Sequence, residues 1–269
     1  MLLVALLQRS LARVSALMAG LSLLVTGLQV LIVLVARSQE ESRSYEVIAS
    51  LAPRFIQKQF GDALPAFLSF SGMVTFAYFD PVVLLMIAVL AVFVASELAA
   101  DIEYGHVDLL LARGMTRRAI VTRSLVAMMV VPACVATVMV VAGYAALAAL
   151  TPAGARWPTP LTVLDLAGHL VVLAWCFGAV GLAVAAFARR RLTATGVVSV
   201  AAVFLYLLEF LGNAWPPARW AALLSPFHYT HGAAIVAGQG NSAQDYLVLG
   251  SIAVVSTMVA YWRYGARDL

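Results

Sequence analysis

The chain has 269 residues, of which 63% are hydrophobic and 11% charged, against about 45–50% and 25% in soluble domains, which excludes a water-soluble globular protein. Its net charge of +4 gathers as arginines at the ends of apolar stretches, a pattern of membrane anchoring that asks for no nucleic-acid partner. The apolar runs are unbroken, which excludes a lipid-facing β-barrel with its strands of alternating polarity.

Six of these runs read as transmembrane helices, each crossing taking about 20 residues: residues 14–36, 81–96, 125–148, 169–188, 195–211 and 246–262. The expected fold class is all-α: a polytopic membrane protein with six transmembrane helices, one transmembrane domain over residues 1–269, a cytoplasmic amphipathic N-terminal helix, a cytoplasmic helix in the loop 97–124, and re-entrant or interfacial outer segments. Residues 1–13 set Leu2, Leu3, Leu6 and Leu7 at helical spacing beside Gln8, Arg9 and Arg13. They form either an amphipathic helix along the inner surface or an extension of the first span. That span exceeds the roughly 7–15 apolar residues of a signal-peptide core and is expected to stay as an anchor.

The loop 37–79 is too long for a mere connection. Val47, Ile48, Leu51 and Phe55 make one apolar helical face near Pro53, and the apolar patch 66–79 is too short to span. An interfacial helix and a re-entrant piece are expected there. Asp80-Pro81 places a capping side chain before a proline suited to the first helical position. Segment 96–123 then carries eight charges between two apolar spans, in the order acidic turn, Gly105, Leu109-Leu110-Leu111, and a basic restart at Arg117-Arg118. It reads as a helical hook. Thr162 to Asp165 and Ser242 to Asp245 have the form of capping boxes ahead of spans four and six. Between spans five and six, Trp215, Pro216, Pro217, Trp220, Pro226, Phe227 and Tyr229 resemble residues that sit at headgroup level.

Arginine and lysine number eleven on the side that carries both termini and the loop 97–124, and six on the other. The bias places both termini and the hook in the cytoplasm.

Candidate chemistry is sparse. Lys58, the one lysine, follows Gln57 instead of a glycine, so a phosphate-binding loop of the GxxxxGK form is missing. Cys134 and Cys176 lie inside apolar spans and support neither a disulfide framework nor a metal cluster. Asp101, Glu103 and Asp108 are acids of the kind that hold magnesium, but Asp101 and Glu103 point to different helical faces. His228 and His231 are three apart and, without a further ligand nearby, read as structural. Ser199 and His169 are available for a serine-histidine pair but lack a surrounding motif. Asp165 and His169, four apart, are expected to pair at the outer rim. An ionisable group at membrane depth carries a functional hypothesis by default: Glu209 in span five, with Gln29 in span one as a polar companion, are the candidate translocation-path residues, the alternative being that Glu209 bonds a neighbouring helix or reaches the interface.

At the hook, Glu97, Asp101-Ile102-Glu103-Tyr104-Gly105, Asp108-Leu109-Leu110-Leu111-Ala112 and Thr116-Arg117-Arg118 resemble the pattern of type-2 ATP-binding-cassette (ABC) exporter permeases. Tyr78-Phe79-Asp80-Pro81 and Ser225-Pro226-Phe227 agree with it. Many relatives have adjacent acids before the glycine, whereas Tyr104 intervenes here. The resemblance implies a permease subunit that is not itself an enzyme, with Glu103, Gly105, Asp108, Leu110 and Leu111 forming a coupling helix on a cytoplasmic ABC ATPase subunit and Arg117 starting the next helix. It implies no cofactor in this chain, with ATP and Mg on the partner ATPase. It further implies pairing with a second permease copy or paralogue, a bacterial plasma (inner) membrane location, and outward movement of a hydrophobic or amphipathic substrate, with Pro132 in span three a possible kink for that motion. The competing classes are an intramembrane lipid-modifying enzyme using the acidic loop with Mg, and an accessory membrane protein.

Overall fold

A computed structural model describes residues 2–42, 68–238 and 243–266. Among them every regular element is helical, and six helices are long and apolar enough to cross a membrane. The apolar face at Val47, Ile48, Leu51 and Phe55, and Ser242 of the last capping box, lie outside the described residues.

Helix α1 runs unbroken over Leu2–Ser42. Residues 2–13 therefore extend the first span and do not form a separate surface helix. At 1.5 Å per residue this helix is about 60 Å long, roughly twice a hydrocarbon core, so its ends stand out of the bilayer. The patch before span two forms a short helix α2 (Phe70–Thr75) with Ser69 as N-cap, then a 3₁₀ turn at Phe76–Tyr78. The Asp80 carboxylate accepts from the Val82 and Val83 amides, and Pro81 opens α3 (Pro81–Ala95). The hook forms α4 (Glu97–Glu103) and α5 (His106–Ala112).

The remaining spans are α6 (Arg117–Leu150), α7 (Pro160–Phe187), α8 (Arg191–Ala214) and α11 (Ala243–Gly265). Between α8 and α11 lie the turns Pro216–Ala218 and Pro226–Thr230 and the short helices α9 (Arg219–Ala222) and α10 (Gly232–Val236). The expected box at Thr162 is displaced: Thr159 caps α7 by accepting from the Thr162 amide, and Pro160 takes the first helical position. The Thr162 hydroxyl bonds that of Thr159. Helix α6 continues through Pro132.

The centre of the bundle is the seam between α3 and α7, the two most enclosed spans. Small residues set their spacing. A Cβ on Gly178 would fall 3.1 Å from the Ala91 Cβ, and one on Gly181 3.2 Å from the Val92 Cα. In lipid, where burial of apolar surface does not drive helices together, such close backbone approach supplies the packing that does. Helices α1, α8 and α11 leave most of their surface uncovered. Large apolar residues are exposed along them, among them Leu23, Leu31, Val200, Phe204, Leu247 and Val255, as a lipid-facing surface requires. Trp215 and Trp220 are exposed in the proline-rich segment, while Phe227 is buried against Phe177 and Tyr206.

Candidate functional site

The hook is built from local sequence signals. The Ser96 hydroxyl donates to the Phe93 carbonyl at 2.7 Å, marking the change from α3 to α4. Gly105, at φ +66°, reverses the chain in the left-handed region that side chains disfavour, and Gly114, at φ +80°, does the same after α5. Thr116 caps α6, accepting from the Ala119 amide at 3.2 Å.

The face of the hook turned to the bundle is held by charge. Asp101 is 2% exposed and Arg123 3%, and the Arg123 guanidinium donates from Nη2 to Asp101 Oδ2. Arg13 Nη1 on α1 stands 3.9 Å from Asp101 Oδ1, and His106 Nδ1 3.7 Å from the same oxygen. One turn ahead of Asp101, Glu97 is also 2% exposed, with no hydrogen-bond partner on either carboxylate oxygen among the described residues. Glu103 Oε2 accepts from the backbone amide of Arg191 at 2.8 Å, satisfying one of the orphan donors at the start of α8. The Arg191 side chain reaches back, donating to Ser96 Oγ at 3.3 Å and the Phe93 carbonyl at 3.2 Å, with its guanidinium 4.0 Å from the Phe93 ring centre. Arg117 donates to the Gly265 carbonyl at 3.3 Å, and the Thr122 and Tyr261 hydroxyls meet at 2.6 Å. The start of α1, the hook, the starts of α6 and α8 and the end of α11 thus share one end of the bundle.

The opposite face of the hook is bare. Tyr104 is 68% and Leu109 64% exposed, and Asp108 and Arg113 are exposed beside them. Leu110 and Leu111 are half-buried and pack against the core, so the outward-facing leucine is Leu109. Sequence reasoning singled out Glu103 and Gly105 but missed Arg123 and Arg191 as the side chains that seat the hook. The available signal was an acid and an arginine bracketing the hook, each at the margin of an apolar span where a lone charge is costly.

At the far end, polar groups form a second cluster. Glu209 accepts from Asn213 at 2.9 Å and lies 3.1 Å from His228 Nδ1, the neighbour-bonding alternative. His231 Nδ1 is 2.9 Å from Asp245 Oδ2. Tyr246 donates to Asp165 at 3.0 Å and lies 2.7 Å from His169 Nδ1, which is itself 3.5 Å from the Asp165 carboxylate. His228 and His231 stack edge-on at 5.3 Å. Among the described residues Ser199 Oγ has no hydrogen-bond partner, His169 included. Gln29 is fully buried, with its amide next to Gly143 of α6 and Tyr78. Among the described residues no three His, Cys, Asp or Glu side chains converge as a metal site.

A family model described as "Multidrug efflux system permease Rv1217c, C-terminal domain" matches residues 57–264, a stretch that includes the hook and five of the six spans. No curated protein matches the chain.

Proposed function

The chain belongs to the efflux permease family of that matched domain, and from this premise we propose that it is the transmembrane subunit of a type-2 ABC exporter, with the hook as its coupling element. A separate cytoplasmic ATPase binds ATP and Mg and docks on the outer face of α5. The permease pairs with a second copy or a paralogue and moves a hydrophobic or amphipathic substrate outward across a bacterial plasma membrane, with both termini and the hook in the cytoplasm.

One observation carries this reading: the hook is fixed on its inner face and bare on its outer face. Asp101–Arg123 ties α4 to α6, and the Glu103–Arg191 contacts tie it to α8, while Tyr104 and Leu109 are offered outward. An apolar group in a polar rim of Asp108 and Arg113 is the composition of a docking surface. Displacement of such a rigid lever passes to two spans at once. Gly105 provides the turn that presents α5, and Arg117 anchors the returning helix to the end of α11. The magnesium enzyme is not favoured by the same geometry, because Asp101 and Glu103 are each engaged by a different helix.

The test is co-purification of an ATPase with the tagged protein from its native host. Leu109→Asp and Tyr104→Asp should each lower recovery of the ATPase at least tenfold while leaving the melting temperature of the permease unchanged. Unchanged recovery would remove the hook from the coupling role.

A further inference from the structure

The hook leaves a cavity of about 610 Å³ between the start of α1, α5 and the start of α6, lined by Ser10, Ala12, Arg13, Asp101, His106, Leu109, Leu110, Arg113 and Arg123. We propose that this cavity binds a phosphate-bearing anion, the headgroup of an anionic phospholipid or free phosphate. Placing it in the cytoplasmic leaflet rests on the orientation proposed above; the binding itself does not.

The charge balance points to an anion. Three arginines, Arg13, Arg113 and Arg123, and His106 line the cavity, while Asp101 is the one acid among the lining residues. Asp101 is already bonded to Arg123, and its second oxygen lies 3.7–3.9 Å from His106 and Arg13. Glu97 and Glu103, the other acids of α4, do not line the cavity. One carboxylate thus faces a positive surplus in a recess whose back wall, Ser10 and Arg123, is buried. Arginine matches phosphate oxygens with paired donors. The volume lies within the roughly 300–1,000 Å³ of small-molecule sites.

The surroundings favour a lipid over an acidic side chain of the ATPase. Ala12, Leu109 and Leu110 form an apolar lip beside the arginines. One turn along α1 from Arg13, on the same helical face, Leu17 is exposed, so an acyl chain leaving the cavity meets apolar helix surface. Basic recesses between helices on the cytoplasmic side are where anionic headgroups bind.

The experiment is native mass spectrometry of the purified full chain, released from mixed micelles holding phosphatidylglycerol or phosphatidylcholine, with inorganic phosphate titrated in a parallel series. The expected result is selective retention of phosphatidylglycerol, weakened roughly thirtyfold in an Arg13→Gln, Arg113→Gln variant, since each basic side chain contributes about fivefold near a surface. Displacement of that lipid by millimolar phosphate, or phosphate binding alone that the same variant loses, assigns the free anion as the source. Equal retention of both lipids with no phosphate binding, or equal retention of phosphatidylglycerol by the variant, overturns the proposal. Loss of the co-purifying ATPase from an Arg13→Gln single variant with phosphatidylglycerol binding intact also overturns it, and gives the cavity to an acidic side chain of the partner. A lipid-free melting temperature equal to wild type establishes that the variant is folded.

Discussion

At the residue scale the account turns on Asp101 and Arg123. Each is nearly inaccessible, and removing one member of a buried pair strands the other charge at a cost of about 3–5 kcal/mol. Asp101→Asn and Arg123→Gln should each lower the melting temperature of the detergent-solubilised protein sharply. Replacing both with apolar residues of similar volume should restore much of the loss, because desolvation of the pair offsets most of its attraction. A double variant destabilised by the sum of the two single losses would show that the two side chains act separately. The sequence marked Gly105 for its turn and the leucine run for docking, and the backbone of both is as expected. It did not pick out Leu109 and took Leu110 and Leu111 for the coupling face, although Leu109 is the exposed one, since a seven-residue helix has too few turns to reveal its buried face by spacing. Nor did it pair Asp101 with Arg123, whose contact is made sideways between helices that the hook separates by 22 residues.

At the element scale, hydropathy located the core of every span, while the ends followed other rules. Span four was expected from 169 and begins at Pro160. Its first turns carry Thr162, Asp165 and His169, polar residues that a hydropathy reading trims away. They belong to the helix because Tyr246 of α11 satisfies Asp165 and His169. Asp80-Pro81 was legible for the opposite reason, a cap being a local event. The seam of α3 and α7 supplies a test of packing. A side chain at Gly181 meets the Val92 backbone, which cannot yield as a flexible side chain does. Gly181→Leu should therefore separate the two helices and abolish a monodisperse peak in size-exclusion chromatography. A monodisperse variant with wild-type melting would contradict the close approach that organises the bundle.

At the scale of the whole molecule, the six spans gather both ends of the helical course and the hook at one end and a histidine-carboxylate cluster at the other. Composition alone made the membrane class and the all-helical fold legible, because about 20 apolar residues per crossing leave few alternatives. The seat of the hook was not legible, since it draws on α1, α4, α6 and α8, and lateral order among spans has no signature in a single sequence. In the proposed reading, that seat makes the hook a rigid lever between the ATPase and two spans. The most direct test is mass-spectrometric stoichiometry of the ATPase recovered with the tagged permease, compared between wild type and Leu109→Asp at equal melting temperature. The account predicts an ATPase at comparable molar amount with wild type and its loss with the variant. Its absence from wild type under gentle extraction, or its full retention by the variant, would contradict the claim that this hook is where ATP hydrolysis reaches the membrane.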